Sequence, residues 1–416
     1  MIRSIIFTIA ITTGILGFSQ SRTSSPYSFF GLGQQTFRGT IENRAMGGLS
    51  TYLDSIHVNL RNPASYGKLR LTTYTVGAVH TETWATDGDQ EGTYDATSIE
   101  YVSIGIPLGK KLGMGFGLVP FKSVGYKIGA LTEDAYTSFT GEGSINRAYF
   151  GLGYAINDNF SLGGEFRYNF GNESNSSSVA LANVQFGTNE VNDANFSGAS
   201  FNFGLHYQGL LNEKYEIQAS AIYSPKNKIT AEGSRTIGLF RLNDDLTESV
   251  FNTREGNQFR EKLNLPSSFT LGANIGMPRK WALGGEYSFQ QSSSLSSRNF
   301  TPDNSNFTDA STYRLGGFYV PDFNSITSYW DRVTYRAGLR YEQNGLNINN
   351  QDINEFGISF GMSLPVGRSS AFSNATFGLE YGQRGTTSNG LIKEDFLSLS
   401  IGLSLNDLWF RKRKYN

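Results

Sequence analysis

The stretch Leu397-Ser398-Leu399-Ser400-Ile401-Gly402-Leu403-Ser404-Leu405 places a large apolar side chain at every odd position and a small or hydroxyl one at every even position. Period two is the strand period, because successive strand side chains point to opposite faces; a helix would repeat near 3.6. The same alternation runs through Phe160/Leu162/Gly164/Phe166/Tyr168/Phe170, Phe201/Phe203/Leu205/Tyr207, Phe269/Leu271/Ala273/Ile275, Val333/Tyr335/Ala337/Leu339/Tyr341 and Phe356/Ile358/Phe360/Met362/Leu364. Working outward, the pattern predicts strands near 68–84, 95–108, 112–128, 140–156, 159–172, 197–209, 215–231, 262–276, 280–291, 310–321, 331–343, 353–365, 373–385 and 395–406.

The connections alternate in length. Short ones fall at Gly109–Lys111, Asn157-Asp158, Leu210–Lys214, Met277–Arg279, Asp322–Trp330 and Val366–Phe372; longer polar ones fall at 85–94, 129–139, 173–196, 232–261, 292–309, 344–352 and 386–394. Short turns at one rim and long loops at the other describe an outer-membrane barrel, with the short turns periplasmic. An even count of about 14 strands returns both chain ends to the periplasmic side. A sheet in lipid cannot leave edge hydrogen bonds open, so it must close on itself. A β-propeller would show a repeat of ~40–50 residues, and none is present. The fold class read here is all-β: a transmembrane antiparallel β-barrel.

Composition excludes several other classes. The chain has 416 residues with 14% aromatics, too aromatic for a disordered protein. Past the N-terminus no run approaches the ~18 apolar residues of a spanning helix. A formal net charge of −1 offers no general field for nucleic acid. With no Cys, disulfides, thiolate nucleophiles and thiolate metal sites are absent. Residues 1–20, with Arg3 ahead of an apolar run from Ile5 to Phe18 and then Ser19-Gln20, read as a secretory signal peptide.

Residues 21–67 do not alternate. They carry Phe29, Phe30, Leu32, Phe37, Met46 and Leu49, side chains costly to leave in water, in a segment too short for its own core. The economical place for them is the barrel lumen, as a plug. The expected layout is thus a signal at 1–20, a hatch at 21–67, a barrel at 68–406 and a periplasmic basic tail at 407–416. In the tail, Arg411-Lys412-Arg413-Lys414 follows Trp409 and Phe410, the pattern of an interfacial anchor or a partner contact.

The tripeptide Asn62-Pro63-Ala64 just ahead of the first strand, preceded by Arg44-Ala45-Met46-Gly47-Gly48, resembles the hatch motif of the long-chain fatty-acid transporter family of outer-membrane barrels. The ending from Asn406 to Asn416 resembles those of diverged members. The likeness covers the mature chain in layout and these short stretches in motif; no residues match the family's ligand pocket. The resemblance implies a hatch folded into a fourteen-stranded barrel, no cofactor, and passive uptake of small hydrophobic molecules with sideways release through the wall. Pro120 in the third strand is a candidate kink for such release, unless it sits harmlessly at that strand's outer end. Candidate ligand or hatch residues are Asn62, Pro63, Ala64, Phe29, Phe30 and Leu32. The alternative reading is a plugged barrel that transports nothing and serves as an accessory subunit of an outer-membrane secretion or barrel-assembly complex. Partners expected are membrane lipid, hydrophobic small molecules, or other outer-membrane or periplasmic proteins.

Charges on the inward parity are the most informative polar residues. Glu165, Arg167, Glu286, Arg336, Arg340 and Glu380 alternate with lipid-facing apolar residues, and a charge facing lipid costs up to ~2–4 kcal/mol at the midplane. They form either a network that holds and gates the hatch through Glu42, Arg44, Asp54 or Arg61, or static pairs that fill the lumen. The three His (57, 80 and 206) are scattered and lack metal-ligand spacing. His80 with Ser98 is the one Ser–His pair that can be drawn, and a solvated rim His is the simpler reading. The glycine-rich run Leu112–Gly117 lacks the helix and Lys-Ser/Thr of a nucleotide loop. No catalytic or metal residue, and no enzyme, is expected.

Overall fold

A computed structural model describes residues 22–243, 245–295, 304–366 and 372–407. The signal segment and the basic tail beyond Asp407 lie outside the described residues. Eighteen strand segments join one antiparallel sheet. One belongs to the hatch, and three pairs are consecutive pieces of a single interrupted strand, which leaves the fourteen that alternation predicts.

In chain order these are β1 (Thr72–Thr86), β2 (Glu91–Pro107), β3 (Leu112–Leu131), β4 (Ala135–Ala155), β5 (Phe160–Leu181), β6 (Gly187–Leu210), β7 (Glu216–Ser224 and Asn227–Leu242), β8 (Glu248–Leu265 and Ser268–Met277), β9 (Trp281–Gln290), β10 (Ser305–Phe307 and Ala310–Tyr319), β11 (Thr334–Ile348), β12 (Gln351–Val366), β13 (Ser373–Gly385) and β14 (Lys393–Asp407). β14 pairs with β1 along its whole length, from Lys393↔Thr86 to Asp407↔Thr72, so the sheet closes. Closure removes the edges that lipid could not satisfy. Phe150, Phe166, Phe203, Leu205, Leu283, Leu315, Phe360 and Ile401 project outward, while the facing parity is buried polar: Glu165, Asn202, Gln218, Glu286, Ser359, Glu380 and Ser398.

The two longest expected loops are corrected. Most of 173–196 and 232–261 is strand: β5 and β6 pair out to Val179↔Thr188, and β7 and β8 out to Leu242↔Glu248. Their Asn- and Ser-rich sequences conceal the pattern, because the outer face no longer meets lipid and the buried face mixes polar Glu173, Ser178 and Asn189 with Ala194, Phe196 and Phe240. The wall is therefore uneven, since β9 and β10 stop pairing at Gln290↔Ala310.

The pairing lapses in two places. β2 and β3 pair only up to Val102↔Leu118; β3 then bulges between Pro120 and Lys122 against β4. Pro120 thus sits where β2 and β3 part, not at the strand's end. The second lapse follows Pro225 and Pro266, which interrupt β7 and β8 side by side. Between Ser197↔Thr230 and Phe203↔Tyr223, β6 and β7 have no paired residues. Each break also flips the inward parity: Gln218 and Ser220 are buried below it, Ile229 and Ala231 above it.

Candidate functional site

Residues 22–71 precede the first strand and fold against the inner face of the barrel. Their structure is built from caps. Thr40 opens the one-turn helix Ile41–Arg44 with a capping box to Asn43. Gly47 and Gly48 then turn the chain with φ of +66° and +86°, a conformation that costs other residues a steric clash. Asn62 caps the 3-10 turn Pro63–Lys68 by accepting the Ala64 N–H at 3.0 Å.

Asn62-Pro63-Ala64 is an anchor. Asn62 Nδ2 donates to Leu205 O at 3.1 Å, and Asn202 Nδ2 returns a bond to Arg61 O at 3.0 Å. Opposite it the wall is glycine. A Cβ at Gly163 would overlap Pro63 and Ala64, and one at Gly204 would overlap the Asn62 side chain. The same holds around the ring: Gly113 and Gly115 receive Tyr66, Gly272 receives Thr51, Gly316 and Gly338 receive Met46, and Gly361 receives Ala45. On eleven of the fourteen strands a glycine lies so close to the hatch that an added Cβ would press on it. The glycines that relieve crowding in a curved wall also make a seat, letting hatch backbone reach barrel backbone.

Charge clamps what shape seats. Glu286 accepts Arg61 at 2.6 Å, Arg314 at 3.1 Å and the Ser50 N–H at 3.1 Å. Arg44 of the hatch bridges Glu100 at 2.9 Å and Glu380 at 3.0 Å. Arg340 continues the chain to Glu380 at 2.8 Å and Glu355 at 2.5 Å, and Arg384 links Glu355 to Glu394. Arg38 meets Glu165 at 2.8 Å, and Arg167 binds the same carboxylate oxygen. Arg336 bonds Ser363 instead, while Thr376 donates to Glu42 at 3.0 Å. In the hatch itself, His57 Nδ1 lies 2.6 Å from Asp54 Oδ2. Burial opposes ionisation of Asp54, but His57 and the N–H groups of Ile56 and His57 hold it down to about 2. Burial likewise works against the His57 cation, yet Asp54 and Glu42 carry its pKa above the ordinary value.

The apolar candidates do not converge on one pocket. Phe29 packs on Tyr126 at 5.1 Å and Phe139 at 6.0 Å. Phe30 joins the cluster of Tyr27, Leu346, Ile348, Ile353 and Leu391. Leu32 joins Ile145, Phe196, Ile229, Leu263 and Leu265. Among the described residues, two cavities lie between hatch and wall. The larger, about 350 Å³, is walled by Arg44, Arg61, Glu100, Glu355 and Glu394. The smaller, about 130 Å³, carries Leu32, Phe121, Leu263 and Leu265 with Arg147 and Arg167. Sequence reading missed Arg147, Arg314, Glu355, Arg384 and Glu394, although each obeys the inward parity that singled out Glu286; Glu100, which shares the parity of outward-facing Val102, is turned inward by a bulge opposite Gly77 and Ala78. His80 and Ser98 do not meet: His80 faces outward and bonds Thr97, while Ser98 bonds Glu100.

The fold matches solved outer-membrane channels. The Ralstonia pickettii toluene transporter TbuX superposes with a TM-score of 0.59 at 14% identity, covering 90% of this chain and 100% of that one. A Pseudomonas aeruginosa FadL homologue gives 0.58 at 14%, covering 89% and 98%. The Pseudomonas putida toluene transporter TodX gives 0.56 at 15%, also covering 89% and 98%. At such identities the likeness is one of fold, and it is the fold of the fatty-acid transporter group that the hatch motif suggests. No curated protein sequence matches the chain. The sequence model of the BamG family, in contrast, matches residues 1–416 from end to end, and the chain belongs to the BamG family.

Proposed function

We propose that the protein is a permanently plugged outer-membrane barrel that conducts nothing and serves as an accessory subunit of a larger outer-membrane secretion or barrel-assembly complex. The observation that carries this reading is the glycine seat: hatch backbone is packed against the wall on most strands and clamped there by shared buried ion pairs. Moving the hatch would pull Arg61, Arg44 and Arg38 away from Glu286, Glu380 and Glu165, leaving each carboxylate only its barrel arginine, and separating buried charges is costly. The cavities agree. The larger, although Phe30, Phe37 and Phe307 also border it, is lined by Arg44, Arg61, Arg314, Arg340, Glu100 and Glu355, and the smaller is well below the ~300–1,000 Å³ of ordinary ligand pockets. In this reading residues 22–67 are a structural filling, both chain ends are periplasmic, and the uneven outer wall is the surface available to other subunits. The role is non-catalytic.

A second reading has its own support. The parting of β2 from β3 at Pro120 makes a side opening, and the hatch occupies it: Gln34 and Gln35 pair with Ser123 and Lys122, and Ser24 bonds Asp95 O. A hatch-gated passage for small hydrophobic molecules would use that opening, and TbuX and TodX, which share the fold, are toluene transporters. Gentle detergent extraction from native membrane, with mass spectrometry of all that co-purifies, separates the two. Stoichiometric protein partners and a barrel silent in planar bilayers support the subunit. A lone barrel carrying hydrophobic molecules, and passing them into vesicles, sinks it.

A further inference from the structure

We infer that the small cavity is a built site for the phosphate group of a net-anionic outer-leaflet lipid, one whose headgroup carries no neutralising cation, entered through the wall where β6, β7 and β8 lose their pairing. The inference stands whether or not the barrel conducts. Four cations border this space: Arg38 from the hatch, Lys122 from β3, Arg147 and, across from it, Arg167. Glu165 is the carboxylate among them, and Arg38 and Arg167 already share one of its oxygens. Arg147 has no carboxylate at ion-pair distance among the described residues. Its Nε donates to Asn169 at 2.8 Å, and its guanidinium stacks 3.9 Å over Phe121. Arg167 is 3% exposed, and its Nη2 has no hydrogen-bond partner. Even with Glu173 and Glu342 counted, whose fields reach Lys122, four cations face three carboxylates. Buried guanidinium N–H groups left open in a positive space are a cost the fold would not carry for packing alone. A phosphate answers both the charge and the open donors, because its oxygens accept the paired N–H groups of a guanidinium.

The position selects a lipid. The lower piece of β7, Glu216–Ser224, is nine residues, about the ~9–11 that a tilted strand needs to cross the bilayer, so Pro225 lies near the outer interface. There the cavity is bordered by Pro225, Pro266, Ser200 and Phe201, while Phe203 faces the acyl chains outside. A headgroup can reach inward through the unpaired stretch with its chains left in the bilayer. The cavity itself, at about 130 Å³, takes a phosphate but not an acyl chain.

The test uses the full chain in nanodiscs containing dioleoylphosphatidate or only dioleoylphosphatidylcholine, with native mass spectrometry of the ejected protein. One retained phosphatidate is expected, reduced about tenfold or more by R147Q/R167Q, as loss of charged hydrogen bonds implies. K122Q changes a half-buried rim residue and keeps the test open should the double variant not fold; it should lower retention several-fold. Equal retention of both lipids, or retention unchanged by K122Q in folded protein, overturns the proposal. So does stabilisation by inorganic phosphate in detergent with no lipid retained, which would make it a site for free phosphate.

Discussion

Arg61 of the hatch and Glu286 of β9 lie 2.6 Å apart with their side chains almost wholly buried, and Arg314 of β10 shares the same oxygen. One carboxylate therefore ties the hatch and two adjacent strands together. Removing one partner of a buried pair leaves the others uncompensated, at about 3–5 kcal/mol. Glu286→Ala is expected to lower the urea midpoint of the detergent-folded barrel and to expose residues 48–61 to protease. An unchanged midpoint would mean that the hatch is held by shape alone.

Shape can be tested by adding it. Gly338→Val places a side chain where Met46 and Gly47 run, whereas the nearest atom to a Cβ at Gly164 is Phe203 at 3.8 Å. Gly338→Val should unseat residues 41–48 and abolish their protection in hydrogen exchange. Gly164→Ala should leave protection as in the parent. Equal tolerance of both would remove the glycine seat as an explanation for the fixed hatch.

The Asn-Pro-Ala motif makes a separate prediction. Asn62 is wholly buried, caps the following turn and bonds β6 through Leu205 O. Asn62→Ala loses the cap and leaves that carbonyl without this donor, at about 1–3 kcal/mol. The loss should appear as lower barrel stability with no change in any solute flux. A changed flux at unchanged stability would place the motif in transport instead.

The Asp54–His57 pair gives the hatch a pH window. Asp54 has its pKa lowered, so its contribution is complete above the ordinary 3.8 and disappears as pH falls through about 2. His57 has its pKa raised, so its contribution is complete below the ordinary 6.5 and disappears as pH rises through the higher folded value. Hydrogen-exchange protection at residues 54–57 should therefore be greatest between about pH 4 and 6.5, and His57→Asn should flatten the alkaline limb. An alkaline limb that persists in that variant would assign the effect elsewhere.

The sequence by itself determined the barrel. Alternation in segments such as 397–405 is imposed by two solvents, lipid outside and a polar lumen inside, so each residue reports its side locally. The inward parity likewise assigned Glu165, Arg167, Glu286 and Glu380 to the lumen, where the structure buries them. It was silent over most of 173–196 and 232–261, which are strands whose buried face mixes Glu173, Ser178 and Asn189 with Ala194, Phe196 and Phe240, so no apolar alternation marks them. It could not say that Leu32 parts from the packed pair Phe29 and Phe30 to join a different cluster, or that Asn62-Pro63-Ala64 grips β5 and β6. Nor could it show that Pro225 and Pro266, 41 positions apart in the chain, interrupt adjacent strands at one height. Those relations depend on register and closure, which bring distant residues together through the whole sheet; only the tertiary structure decides them.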